Sequence, residues 1–348
     1  MKDGSSLADI GFDPYFEAQL DALDGGRVPA RIAVAHGVSY VAWTASGVRK
    51  AVIVGSRLAT WQVSAERPQV GDWVTGSLSS SGDLTIEHRL ERRTCLVRKA
   101  AGERDEAQVI AANVDVVGIV SALGDGTDEE RERRLINENR LRRYLSAVEQ
   151  SRAAPLLIVN KSDLNPAAAE VVDTLRRAFP SVPVASTSGH RGDGLAELEP
   201  WLKPGRTFGL VGMSGVGKST LVNALLGRSA QRVADVREID ARGRHTTTHR
   251  ELFVMQSGAL LIDTPGMREM GLWEIEPTAG FEDVVALASA CRFSDCRHAT
   301  EPGCAVLRAL GDKTLSAERW QSYRQQEQKI QEARSRVRPE LGTRRRRR

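Results

Sequence analysis

Apolar positions fall into three textures along the chain. From about residue 30 to 100 they form short β-rich runs: Arg31-Ile32-Ala33-Val34, Tyr40-Val41-Ala42-Trp43, Lys50-Ala51-Val52-Ile53-Val54, Asp72-Trp73-Val74 and Leu84-Thr85-Ile86. Turn residues separate them, among them Gly37, Gly47, Gly55, Gly71, Gly76 and Ser79-Ser80-Ser81-Gly82. Several short strands at this spacing predict a small barrel or sandwich, and a five-stranded OB-type barrel fits the length. Trp43, Trp61 and Trp73 read mainly as filling of that barrel's core. The alternative is that basic and aromatic residues of the barrel serve a nucleic acid surface.

From about 113 to 290 strands alternate with helices. Residues 115–120, 156–159, 182–184 and 208–211 read as strands, as do 251–255 and 259–262. Segments 130–150, 166–178 and 217–227 read as helices. Such alternation predicts a mostly parallel sheet with helices on both faces. From about 278 the chain is helical and basic, with a long polar helix at 316–336. Residues 1–28 show no strong period and predict a loose arm or a short helix. The division expected is an arm (1–29), a barrel (30–105), an α/β domain (106–277), a helical domain (278–336) and a basic tail (337–348).

Length agrees with this division, because 348 residues exceed what one core usually holds. The 41% hydrophobic and 27% charged content is ordinary for a globular chain and excludes disordered or collagen-like classes. No apolar run approaches the ~20 residues of a membrane span. Met-Lys-Asp-Gly-Ser-Ser lacks a signal peptide's apolar core. The expectation is a soluble, cytoplasmic protein with no membrane partner. Net charge is +4, but residues 291–348 hold 15 basic and 7 acidic side chains. The basic excess lies at the C-terminal end, where an acidic partner should touch.

The sharpest chemistry lies at 212–219. Gly212-Met213-Ser214-Gly215-Val216-Gly217-Lys218-Ser219 matches G-x-x-x-x-G-K-[ST], after an apolar strand and before a helix opening at Thr220. Its glycines let the backbone curl so that N–H groups face phosphates, and the helix N-terminus favours negative charge. Lys218 should reach the β- and γ-phosphates, and the Ser219 hydroxyl should bind Mg²⁺. Asp263-Thr264-Pro265-Gly266 follows an apolar strand. Asp263 is the expected second Mg²⁺ holder, and Gly266 can give an N–H to the γ-phosphate. Between them lies Gly243-Arg244-His245-Thr246-Thr247-Thr248. Thr247 or Thr248 can close a switch loop over Mg²⁺; the sequence does not decide which.

Asn160-Lys161-Ser162-Asp163 matches N-K-x-D. Asp163 can accept from guanine N1–H and N2–H₂, donors that adenine lacks, so the ligand expected is GTP. Lys161 can lie over the base, and Asn160 can tie loops together. Ser186-Thr187-Ser188 resembles the loop whose backbone N–H meets the base oxygen. The base motif precedes the phosphate loop, the reverse of the ordinary order. The domain is therefore expected to be circularly permuted, as nearby termini allow.

Three of the four cysteines fall between 291 and 304. Cys291, Cys296, His298 and Cys304 supply three thiolates and an imidazole, a set that suits one structural, tetrahedral Zn²⁺. Asp295 is the alternative fourth ligand to His298. Arg319, Arg324, Lys329, Arg334, Arg336, Arg338 and Arg344–Arg348 then favour contact with phosphates.

Together these residues resemble ribosome small subunit-dependent GTPase A, a bacterial family of circularly permuted GTPases. The resemblance spans the barrel, the permuted motifs, the 243–248 segment and the Cys/His box. It implies an N-terminal OB-fold, a central GTPase domain and a C-terminal zinc domain. It also implies binding to the 30S ribosomal subunit and its rRNA late in assembly, with GTP hydrolysis stimulated by that subunit. Position 267 is Met267, where many GTPases carry a water-orienting Gln. His245 is then the candidate catalytic residue in cis; an RNA-contacting surface histidine is the alternative. A second function reading is an rRNA-binding assembly chaperone whose turnover is incidental. A third is GTP-dependent metal insertion, for which the Cys/His box is too complete. A monomer is the default, because the subunit itself can supply the large interface.

Overall fold

The computed structural model describes residues 6–23, 26–61, 66–99, 107–127, 136–227, 250–263, 281–293 and 296–336. The chain groups into two units. One comprises Met1–Ala100, Asp105–Asn137 and Val148–Glu274; the other comprises Ala101–Arg104, Glu138–Ala147 and Ile275–Arg348.

In the first unit, β1 (Val28–His36), β2 (Ser39–Thr44), β3 (Gly47–Ile53), β4 (Trp73–Leu78) and β5 (Leu84–Arg89) form the barrel, with a short helix α2 (Gly55–Thr60) after β3. The strand order is β1-β2-β3-β5-β4, and β1 also pairs β4, which closes the ring. The β3–β5 pairing is parallel and the others in the ring are antiparallel. Ile32, Ala42, Val74, Leu84 and Ile86 are fully buried inside it, with Trp61 packed against them. Trp43 and Trp73 are also buried but stand outside this cluster, Trp73 against the arm and Arg31, so of the three tryptophans expected in the barrel's core Trp61 is the one that packs on it. Two further strands do not join the barrel: β6 (Cys95–Lys99) pairs β7 (Ala107–Ala112) antiparallel as a separate two-stranded sheet.

The N-terminal arm is docked. Asp13 caps α1 (Pro14–Asp21) by accepting from the Tyr15 N–H, and Pro14 opens the helix where no N–H is needed. Phe12 and Phe16 lie against Trp73 at 4.8 and 5.8 Å between ring centroids. Burying Phe16 and Ile10 holds the segment that polarity alone left unassigned.

The α/β sheet has the order β10 (Val184–Thr187), β9 (Ala154–Asn160), β8 (Val116–Ala122), β11 (Thr207–Gly212), β13 (Leu260–Asp263), β12 (Arg250–Val254). All are parallel except β12. Strands β8 and β11 are buried along their whole length, as expected of a sheet covered on both faces. The described part of the first predicted helix is α3 (Glu138–Gln150), so Ile136 precedes it. Residues 128–135, which include Leu135, lie outside the described residues. The strand expected at 182–184 instead begins at Val184, because Pro183 has no N–H to give a ladder. Helix α4 (Ala168–Ala178) follows β9, and α5 (Lys218–Leu226) follows β11.

One buried cation stitches the first unit together. Arg31 of β1 is 1% exposed. Its guanidinium donates to the Thr207 hydroxyl at 2.7 Å, to the carbonyls of Asn113 and Gly71 at 3.1 and 3.3 Å, and to the Ile10 carbonyl. Burial lowers its pKa to about 10. Arm, barrel, hairpin exit and the start of β11 thus share one donor fork. Strand β1 also pairs β12 at Val34 and Ala35, so barrel and α/β sheet form one eleven-stranded run.

In the second unit, α6 (Glu282–Ser289), α7 (Ala305–Gly311) and α8 (Ala317–Arg336) surround a small core of Phe281, Val284, Cys304, Val306, Ala309 and Leu315. Arg319 of α8 holds the Asp283 carboxylate with two nitrogens, at 2.7 and 2.5 Å, and donates to Asn139 Oδ1 at 2.7 Å. Its guanidinium also lies 5.0 Å from the Phe281 ring centroid. Asn139 donates in turn to the Ser322 hydroxyl at 3.1 Å.

Candidate functional site

Strand β11 delivers Gly212 to the C-terminal edge of the sheet, where its chain turns back into α5. Three glycines of this turn have positive φ: Gly212 (146°), Gly215 (83°) and Gly217 (91°). Two of them also have no room for a side chain. A Cβ on Gly212 would lie 2.3 Å from the Val120 carbonyl oxygen, and one on Gly217 would lie 2.4 Å from Asn160 Nδ2. The glycine spacing of the motif therefore answers to backbone geometry. Lys218 is buried, and its ammonium donates to the carbonyls of Gly212 and Met213 at 2.7 and 2.5 Å. This fixes the cation within the curl of the loop, where phosphate oxygens would meet it. Val216 is buried as the loop's anchor, whereas Ser214, Gly215, Ser219 and Thr220 are exposed.

The base motif stands at the end of β9, two strands away. Asn160 is 1% exposed and ties three segments. Its Nδ2 donates to the Val216 carbonyl at 2.9 Å, and its Oδ1 accepts from the Gly189 N–H at 2.9 Å and the Thr187 hydroxyl at 3.3 Å. Lys161 takes a left-handed backbone (φ 62°) and donates to the Gly215 carbonyl at 2.8 Å. Ser162 begins the short helical turn Ser162–Leu164, which presents Asp163. Asn160, Lys161, Asp163, Leu164, Ser188, Gly189, His190, Gly217 and Thr220 line a cavity of about 210 Å³. Base motif and phosphate loop, 50 residues apart in reversed order, thus share one concavity at the C-terminal edge of the parallel strands, the usual place for a ligand in such sheets.

Two assigned residues sit behind this cavity. Ser186 and Thr187 belong to β10; the Ser186 N–H donates to Glu197, and Thr187 is buried on Asn160. Ser188, the third residue of the expected loop, lines the cavity, followed by Gly189 and His190. The signal was Gly189, whose Cβ position lies 3.1 Å from the Leu221 nitrogen. Asp263 ends β13, which runs parallel to β11 with Ile262 opposite Gly209. It therefore faces the same edge of the sheet as the phosphate loop. A hydroxyl (Ser219) and a carboxylate (Asp263) are the hard oxygen donors that suit Mg²⁺. Gly266, His245, Thr247 and Thr248 lie outside the described residues.

In the second unit, Cys291, Cys296, His298 and Cys304 bring one ligand atom each to within 4.8 Å of one another. Tetrahedral zinc with Zn–S of about 2.3 Å and Zn–N of about 2.0–2.1 Å requires S···S of roughly 3.8 Å and S···N of roughly 3.5 Å. The structure has 3.8 Å between the sulfurs of Cys291 and Cys304. From His298 Nδ1 the distances are 3.5 Å to Cys291 and 3.4 Å to Cys304. The donor set fits the ion. The Glu301 carboxylate accepts from the N–H groups of Ala299, Arg297 and Thr300 at 2.8–3.0 Å. These bonds, that from Ala299 first, bring its pKa down to about 2 and fix the loop carrying His298. Trp320 meets the His298 ring edge-on at 5.4 Å. Asp295 lies outside the described residues.

The fold and the first cavity define a circularly permuted P-loop GTPase. Comparison with known proteins agrees. The family model described as RsgA GTPase matches residues 89–273. A relative in Opitutus terrae, named Small ribosomal subunit biogenesis GTPase RsgA, is 41% identical, covering 97% of this chain and 93% of that protein. A relative of the same name in Methanosarcina acetivorans is 40% identical over 90% of this chain and 82% of its own length. YjeQ from Thermotoga maritima superposes with a TM-score of 0.59 at 24% identity, covering 86% of this chain and 97% of YjeQ. YloQ, described as a circularly permuted GTPase, gives 0.57 at 23% identity, over 88% of this chain and 96% of YloQ. The chain belongs to the RsgA GTPase family.

Proposed function

We propose that this protein hydrolyses GTP in the biogenesis of the small ribosomal subunit, and that the subunit stimulates the hydrolysis. The observation that carries the reading is the single cavity joining Asp163 and Asn160 to Gly217 and the phosphate loop. It is supported by two relatives of 40% identity or more named for that role.

In this reading Asp163 accepts the two donors of guanine's edge, and the Gly189 N–H, held by Asn160, keeps the loop of Ser188 and His190 at the base cavity. Lys161 lies along the base face while its ammonium holds Gly215. Lys218 and the N–H groups of residues 212–219 neutralise and orient the phosphates, so the γ-phosphorus sits in line for attack. Ser219, Asp263 and Thr247 or Thr248 would hold Mg²⁺, which when bound draws charge from the β- and γ-oxygens. His245 is assigned to orient water, because Met267 offers neither a donor nor an acceptor strong enough. Cys291, Cys296, His298 and Cys304 hold a structural Zn²⁺ that keeps the C-terminal domain folded. The barrel and the basic C-terminal segment are assigned to rRNA, the protein acts as a monomer, and its site of action is the cytoplasm. Among the described residues no helix is long and apolar enough to cross a membrane.

The test is GTP turnover at fixed salt with and without purified 30S and 50S subunits. Large stimulation by 30S alone supports the proposal. Equal, slow turnover in all mixtures would refute the stimulated-enzyme reading.

A further inference from the structure

Helix α8 is long and polar, and its packing begins with two aromatic residues in its first two turns. Ser316 caps the helix by accepting from the Arg319 N–H at 3.1 Å, so Trp320 and Tyr323 follow directly. Both pack on the core built from Phe281, Cys304 and Leu315, beside Cys291 and Cys296. Among residues 324–336 only Ile330 and Ala333 are apolar. A helix of this composition takes its stability from tertiary packing and not from propensity.

The aromatic row of α8 ends on a zinc ligand. Tyr323 meets the Phe281 ring at 5.6 Å and stacks on Trp320 at 5.7 Å with 20° between the planes. Trp320 then meets His298 at 5.4 Å with the rings nearly perpendicular, at 86°. His298 has a left-handed backbone (φ 57°), a region that residues other than glycine enter at a cost, so its surroundings must hold it there. Glu301 fixes the backbone on either side through the N–H groups of Arg297 and Ala299. The imidazole places Nδ1 3.5 and 3.4 Å from the sulfurs of Cys291 and Cys304, and the indole of α8 packs on that same ring.

We propose that Trp320 couples the metal centre to α8: it holds the His298 imidazole in its ligating pose and, in return, seats the basic helix on the metal site. This inference rests on the zinc reading of the four ligands. Linkage makes the coupling reciprocal, so whatever the docked helix adds to metal retention, the metal adds to docking of the helix. A perpendicular aromatic pair corresponds to a change of about two- to ten-fold in an equilibrium constant. Helix α8 carries Arg319, Arg324, Lys329, Arg334 and Arg336. The metal therefore also settles where that charge is presented, which a staple confined to the loop of residues 291–304 would not do.

The experiment compares full-length, zinc-loaded wild type with Trp320→Phe, Trp320→Leu and Trp320→Ala. Transfer of zinc to an excess of metallochromic chelator gives the release rate, and amide hydrogen exchange over 317–336 gives docking of the helix. Trp320→Leu and Trp320→Ala should release zinc about two- to ten-fold faster and exchange faster in α8, with β8 and β11 unchanged. Trp320→Phe, which keeps an aromatic edge, should stay close to wild type on both readouts. Zinc release at the wild-type rate from the Leu and Ala variants overturns the coupling, whatever happens in α8. Equal acceleration in Trp320→Phe and Trp320→Leu, or faster exchange throughout the chain, also counts against it. Where Trp320→Ala does not fold, Phe against Leu decides alone. A wild-type protein that binds no zinc overturns the zinc reading and this inference with it.

Discussion

Asn160→Ala should uncouple the two halves of the nucleotide site. The amide makes three hydrogen bonds at 2.9, 2.9 and 3.3 Å, to Val216 of the phosphate loop, Gly189 of the base loop and Thr187 of the strand beneath. Truncation leaves the Gly189 N–H and the Val216 carbonyl unpaired beside a residue that is 1% exposed. Each buried group left unpaired costs about 1–3 kcal/mol, and water entering from the cavity keeps the figure near the lower end. Two such groups, with the weaker Thr187 bond, sum to about 2–3 kcal/mol. The nucleotide presses both loops into one geometry, so most of this cost appears in binding: the mant-GDP affinity should fall roughly 30- to 150-fold. Melting in the absence of nucleotide should move by only a few degrees, which separates loss of binding from loss of fold. Asn160→Asp should be no better than Ala, because it keeps the acceptor for Gly189 but turns a carboxylate oxygen against the Val216 carbonyl. An affinity within two-fold of wild type for Asn160→Ala would refute the claim that this amide couples the loops.

Three further outcomes are expected. Asp163→Asn should weaken guanine nucleotides by at least ten-fold and improve xanthine nucleotides, whose C2 carbonyl can accept from the amide; competition titrations decide it, and unaltered guanine preference would remove Asp163 from the base site. Stripping the metal with a strong chelator should lower helical circular dichroism and expose 281–336 to protease, because Cys304 also accepts the Leu307 N–H that starts α7. Retained helix signal in a protein shown to be zinc-free would refute a structural role. The Arg319 hydrogen bonds, foremost, depress the Asp283 pKa from its ordinary 3.8. The stability this adds is complete above that ordinary value and is lost as pH falls through the depressed one. Denaturation of wild type against Asp283→Asn across acidic pH should show their gap closing in that window, and a gap constant with pH would exclude the ion pair as its source.

Chemistry was more legible in the sequence than contact was. The phosphate loop and N-K-S-D announce themselves because φ and donor requirements admit few residue types: Gly212 and Gly217 have no space for a Cβ. The barrel was readable because alternating short runs and glycine turns are local signals. Of the expected base loop Ser186-Thr187-Ser188 the structure brings Ser188 to the cavity, because strand β10 extends to Thr187, and serine and threonine serve strand and loop alike. Arg31 was hidden in a predicted strand as an ordinary polar position. Its partners Ile10, Gly71, Asn113 and Thr207 are spread over almost 200 residues and share no period. Glu301 escaped for a related reason, since it acts through a loop's folded shape.

The pairing of β1 with β12 has a consequence for how the chain is made. Val34 and Glu251 are partners across a gap of more than 200 residues. Synthesis at about 5–20 residues per second leaves roughly 10–40 s between the two strands' appearance. The barrel can close on itself early, through β4, while the rest of β1 waits as an open edge able to pair with the wrong strand. The base-reading strand likewise emerges before the loop that grips phosphate. The nascent protein therefore spends its first seconds holding both an unmatched edge and half a nucleotide site, and neither is completed until the last strands of the sheet have been made.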